Sequence, residues 1–239
     1  MSEPHEPFDF EEEDEDPEIW DEFRWEEFMQ ESDKRNEKYS RLLNKYWDHP
    51  DRDIIVAKEM GWDWLVDALE AEKRGEIQED DDPDDEFFYD EIEEGEEWKQ
   101  DTGYSSSQHK DYHTLPVYKK AFQYGIDAHN LVKNLPEEVN EEGNEVLSAF
   151  VGSSMTVAAK IAGGFGMGFD MQSLGGNIAN CKRGLAAANR ALNALQIMRE
   201  KDLIGQDVYI DFYRRGKEVR DDLAVYIIEL RERFERGVS

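Results

Sequence analysis

Cysteine occurs once in the 239 residues, at Cys181, which excludes an internal disulfide and any cysteine-rich metal site. Basic residues are scarce. Against 58 aspartates and glutamates stand 28 lysines and arginines, for a formal net charge of −30. No stretch approaches the ~18 consecutive apolar residues of a membrane span. The opening "MSEPHEPFDF" lacks the basic end and apolar run of a secretion signal. These absences set the expectation of a cytoplasmic chain with no membrane partner. Nothing matches the G-x-x-x-x-G-K-[S/T] pattern of a phosphate-binding loop. None of the five histidines follows a glutamate by three positions, so a di-iron site of the ferritin-like kind has no ligand pattern to build on.

What is present is divided unevenly. Residues 1–110 carry a net charge of −28 and residues 111–239 only −2. The field of the first part repels nucleic acid and anionic lipid, while the second carries no such bar. Residues 1–18 end in "EEEDEDPE", where repulsion and the shortage of apolar groups predict an acidic disordered tail. Residues 19–75 read as a small tryptophan-rich helical unit. Trp20, Phe23 and Phe28, then Tyr39, Leu42, Leu43 and Tyr46, mark an interrupted apolar face. His49-Pro50 and Gly61 are its breaks. Residues 76–114 form an acidic linker in which Phe87, Phe88, Tyr89 and Trp98 interleave with carboxylates. It reads either as a solvated linker or as an acidic-aromatic segment that docks on a basic surface.

From residue 115 to 237 the pattern is helical and predicts an all-α, antiparallel up-and-down four-helix bundle. The first helix stops at Pro136, and the second spans about Glu141–Ala162. The third carries Leu174, Ile178, Cys181, Leu185, Ala188, Leu192 and Leu195, a heptad seam. The fourth spans about Gln206–Arg236, with Phe212, Gly216, Val219, Leu223, Tyr226 and Leu230 on a comparable seam. Between helices two and three lies "KIAGGFGMGFD". Gly163, Gly164, Phe165, Gly166, Gly168 and Asp170 are expected to make a structural corner. Glycine supplies positive φ, and Asp170 caps the next helix.

The stretch "LVKNLPEEVNEEGNEVLSAFVGSSMTVAAKIAGGFGMGF" and the heptad helix after it resemble a family. Its members are the four-helix-bundle proteins encoded in ribosomal-RNA intervening sequences, together with the accessory proteins of diversity-generating retroelements. The matching features are Leu135-Pro136 and the run Ile161-Ala162-Gly163-Gly164-Phe165-Gly166-Met167-Gly168, and the resemblance covers roughly 115–236. It implies a bundle that assembles into a ring, commonly a homopentamer, whose basic members contact nucleic acid. Where the family often carries a glutamate and a basic residue at this corner, this chain has Gly163 and Met167.

Candidate nucleic-acid contacts are the dense basic groups of the last two helices: Lys182, Arg183, Arg190, Arg214, Arg215, Lys217 and Arg220. Four or five phosphate contacts give strongly salt-dependent binding. The competing reading, which the sequence favours, pairs them with carboxylates such as Asp211, Glu218, Asp221 and Asp222 on solvated faces. His109 and His113 share a helical spacing but lack a third ligand. Cys181 sits on the heptad seam as a small hydrophobe. Ser153 and Ser154 lack the strand–turn–helix setting of a serine nucleophile. The small residues Gly152, Ser153, Ser154, Gly175, Gly176 and Gly184 are expected to permit close helix approach. The resulting expectation is a non-catalytic protein with no cofactor and no metal. Its oligomeric bundle presents an acidic N-terminal arm, in several copies, to an unidentified protein partner. The alternative is an RNA-binding accessory protein whose basic helix faces the acidic arm masks.

Overall fold

A computed structural model describes residues 18–75 and 112–237; the expected tail and most of the linker lie outside the described residues. Those residues are all-helical, with no strand among them. The seven α-helices are α1 (Glu22–Lys45), α2 (Arg52–Met60), α3 (Asp63–Lys73), α4 (Pro116–Lys133), α5 (Glu137–Met167), α6 (Leu174–Glu200) and α7 (Gln206–Arg236). The described chain falls into two compact units. One holds residues 27–75, and the other holds residues 112–237 with residues 18–26. The Trp20–Glu26 segment is therefore grouped with the C-terminal helices and not with the helical unit that its sequence texture suggests.

In the smaller unit α2 packs on α3. Gly61 turns the chain between them with φ +77°, the left-handed conformation that glycine adopts without a side-chain clash. Leu42, Val56, Ala57 and Val66 are its buried apolar residues. Ion pairs at the rim link Lys58 to Glu70 at 2.6 Å and Lys45 to Glu59 at 3.5 Å. So small a core is marginal by itself.

The larger unit has one continuous core. Helix α5 packs on α4 and α6, α7 packs on α6 and α4, and Phe150, Ile161, Leu174, Ile178, Leu195 and Leu223 are almost wholly buried among them. Pro116 opens α4 at a position where its missing N–H costs nothing. Helix α5 starts at Glu137, directly after Pro136, and runs to Met167, beyond the expected end at Ala162. Gly163, Gly164, Phe165 and Gly166 are thus helical, and the turn itself is confined to Gly168–Ser173, with positive φ at Gly168 alone. Close packing explains the extension. A Cβ on Gly164 would lie 2.8 Å from Asn177 Oδ1 and 2.9 Å from the Asn177 carbonyl oxygen. Glycine there brings α5 against α6, and that packing offsets its helix cost of about 1 kcal/mol.

Helix α5 is apolar on average without an unbroken apolar run. One 18-residue window reaches a mean hydropathy of 1.4, so this helix is long and apolar enough to cross a membrane by length and composition. Its Leu147, Phe150, Val157 and Ile161 lie in the core of the unit. Its valine, leucine, isoleucine, phenylalanine and alanine raise the average, while glycine, serine, threonine and Lys160 interrupt the apolar string.

Candidate interaction surface

Asp21 begins the local order of the N-terminal segment. Its Oδ1 accepts the N–H groups of Phe23 at 3.0 Å and Arg24 at 2.8 Å, the capping that a helix start requires. The first turns of α1 then project two kinds of side chain onto α6 and α7. Trp20 and Trp25 meet edge-on, with ring centroids 5.3 Å apart, over the glycine pair at the start of α6. A Cβ on Gly175 would overlap the Trp20 carbonyl oxygen, and one on Gly176 would lie 3.1 Å from Trp25 Cδ2. Gly175 therefore admits this segment, while Gly176 admits both Trp25 and the side chain of Met167 at the end of α5.

The charges on the same turns are complementary. Arg231 donates from Nε and Nη2 to both oxygens of Glu22, at 2.8 to 3.2 Å. Lys182 Nζ lies 3.5 Å from the same carboxylate and 4.5 Å from the Phe23 ring centroid. Arg183 donates to both oxygens of Glu26, at 2.9 and 3.2 Å. The Glu22 side chain retains 11% of its exposure, so this is a partly desolvated cluster, where paired geometry counts for more than it does in open water.

The other basic candidates lie elsewhere. Arg214 and Arg215 converge on Asp211, at 3.0 and 3.4 Å, and Arg215 also pairs with Asp127 of α4. These partners hold the Asp211 carboxyl below its ordinary range, with the Arg214 hydrogen bond the largest cause. Arg220 donates from Nε to Asp221 at 2.9 Å. Lys217 is exposed and has no ion pair among the described residues. Arg190 lines an open groove of about 470 Å³ between α5 and α6, with Glu142, Glu145, Ser153, Asn193 and Lys201. The structure thus groups Lys182 and Arg183 with Arg231, groups Arg214 with Arg215, and leaves Arg190 and Lys217 outside both clusters. Arg231, Glu22, Glu26 and Trp25 are absent from the sequence-derived set. For Trp25, Glu22 and Glu26 the only signal was the W-x-E-x-x-W-E spacing of Trp20–Glu26, and Arg231 had none.

At the α5–α6 turn, Asp170 Oδ1 accepts the N–H groups of Gln172 and Ser173, both at 3.0 Å. Hydrogen bonding by Ser173 holds its carboxyl below the usual value. Asn177, fully buried, donates from Nδ2 to the Gly168 carbonyl at 3.0 Å and so satisfies an acceptor that the end of α5 leaves open. Phe165 and Phe169 pack edge-on at 5.0 Å, and Arg233 lies over the Phe169 ring at 5.1 Å.

Of the other chemical candidates, Ser154 is buried and donates to the Phe150 carbonyl at 2.7 Å. Cys181 is buried, which pushes its thiol up to about 12. His109 lies outside the described residues, and the ring of His113 packs on Tyr112 at 4.2 Å. No group of three or more metal-ligating side chains occurs among the described residues. Gly184 does serve helix approach: its Cβ would sit 3.3 Å from Leu223 Cδ2 and from Lys160 Cβ. Gly152 faces open space. No protein-family model, no curated protein and no solved structure matches the chain.

Proposed function

We propose that this is a non-catalytic cytoplasmic interaction protein. Helices α4–α7 form an antiparallel four-helix bundle that serves as an oligomeric platform, and the acidic N-terminal part is a partner-binding arm rooted on it. The observation that carries the reading is the seating of Trp20–Glu26 over Gly175 and Gly176, with Glu22 and Glu26 held by Lys182, Arg183 and Arg231. A rooted arm is held at a fixed point while the remainder stays available, and several arms on one platform raise avidity without a strong single contact. Trp47 and Trp64, 68% and 73% exposed, stand next to Asp48 and Asp63 in the sequence. Arg52 already lies over the Trp47 ring at 5.8 Å, a contact of the kind a partner with a basic surface would make. The test is tryptophan fluorescence of the full chain titrated with an oligo-arginine peptide. A saturable, salt-sensitive change is expected; unchanged emission throughout overturns the reading.

A second reading is favoured by the same contacts. Glu22 and Glu26 occupy Lys182, Arg183 and Arg231 as phosphates would, so the arm competes with RNA for these cations. Fluorescence anisotropy with structured RNA separates the two. Binding gained by the Glu22→Gln, Glu26→Gln double variant over the unmodified chain selects masking. No binding by either protein removes that reading and leaves the platform.

A further inference from the structure

The outer face of α7 carries an arrangement that the site above does not use. Ile210, Tyr213, Val225 and Ile228 are 54%, 40%, 55% and 53% exposed, opposite the buried Phe212, Val219, Leu223 and Leu230. Between the two apolar pairs lie Lys217 and Asp221, both exposed. The pattern is centred on position 219: Ile210 and Ile228 stand nine residues to either side, Tyr213 and Val225 six, and Lys217 and Asp221 two.

From this we propose that a second copy of the chain docks on this face, its α7 antiparallel to the first about a two-fold axis at position 219. The inference deepens the oligomeric part of the proposed function and rests on it. At about 100° per residue, Ile210 and Ile228 fall on one line along the helix, and Lys217 and Asp221 flank that line closely on opposite sides. Reversing the partner helix sets Ile210 against Ile228 of the other copy at both ends. At the centre it places Lys217 opposite Asp221 twice over. Tyr213 and Val225 then cover the two flanks of the seam at the same level. A parallel arrangement sets Lys217 beside Lys217 and Asp221 beside Asp221, which repels.

The remaining charges leave room for this pairing. Arg214 is engaged by Asp211, and Glu218 by Lys120 at 2.6 Å, which restrains a carboxylate that otherwise approaches its own copy near the axis. Asp221 has Arg220 beside it on the same helix, so its charge is shared, whereas Lys217 has no ion pair among the described residues. An isologous contact of this kind closes with two copies, while a ring of more copies needs a heterologous one.

Cysteine cross-linking tests the register, since native Cys181 is buried. Full-length Ile210→Cys and Ile228→Cys proteins are oxidised singly and as a mixture, and their masses are followed by sedimentation over a concentration series. Residues 210 and 228 lie about 27 Å apart along one helix. Only the mixture is therefore expected to give a disulfide-linked dimer. Lys217→Asp is expected to weaken the dimer by about tenfold, and the charge-exchanged Lys217→Asp, Asp221→Lys protein to regain it. Self-association without the 210–228 cross-link, or cross-linking by either single variant alone, overturns this pairing and leaves the oligomeric platform standing. A monomer at every concentration overturns both. All four positions are exposed, and circular dichroism of each variant is the check that it folds.

Discussion

Glu22 and Arg231, 209 residues apart in the chain, meet through both carboxylate oxygens and two guanidinium nitrogens. With Lys182 on the same carboxylate, the pair fastens the N-terminal segment to α6 and α7. Partly desolvated bidentate pairs exceed the usual worth of an exposed one. Arg231→Gln is expected to cost on the order of 1 kcal/mol and to speed proteolytic cleavage near residues 18–26. High salt is expected to narrow the difference between variant and parent, read as cleavage rate.

Gly175→Val separates docking from charge. Its side chain would overlap the Trp20 carbonyl oxygen and crowd Trp25, so the segment has to lift. Increased hydrogen exchange over residues 18–26, with α4, α5 and α7 still protected, is the expected outcome.

At Gly164 the close approach involves backbone as well as side chain. Gly164→Ala gains in helix propensity, yet the added methyl group forces α5 and α6 apart. The balance is expected to be a loss of about 1–3 kcal/mol, measured by denaturant unfolding. A variant as stable as the parent contradicts the packing account.

Asp170 has a pH signature. Its folded carboxyl is held below the ordinary aspartate value of 3.8 by hydrogen bonds from the following turn. Its contribution is therefore present above that unfolded value and is lost as pH falls through the folded one. Asp170→Ala is expected to cost about 1 kcal/mol at pH 7. The difference in unfolding free energy between parent and variant should shrink as the medium is acidified below pH ~4.

Cys181 is expected to resist a thiol reagent at pH 8, because burial pushes the thiol up to about 12 and removes access. Labelling should follow the unfolding transition. A fast reaction with the native chain contradicts the burial.

Periodicity made the helical character legible, since apolar seams survive any register of neighbours. Phe212, Val219, Leu223 and Leu230 are buried as their spacing requires. Leu185, on the α6 seam, is only partly buried, because that helix has a broader buried face than one heptad stripe describes. The glycine run misled for a local reason. Glycine marks both a turn and a close approach, and only the position of Asn177 on another helix decides between them at Gly164. Partners of the basic residues were illegible in principle: nothing near Arg183 or Arg231 in the sequence points to Glu26 or Glu22. The apolar window of α5 went unrecognised because its alanines and glycines interrupt any run of large side chains.

Helix α6 buries fifteen residues, eight of which are glycine or alanine. Its neighbours approach on more than one side because little stands out from its surface. This inverts the usual map of sensitivity, in which the largest core side chains matter most. An alanine scan would pass silently over Ala187, Ala191 and Ala194, while a scan that adds carbon would find them among the least forgiving positions in the chain. Substitution tolerance along α6 is therefore set by an upper limit on size, and variation there should be confined to exchanges that add nothing.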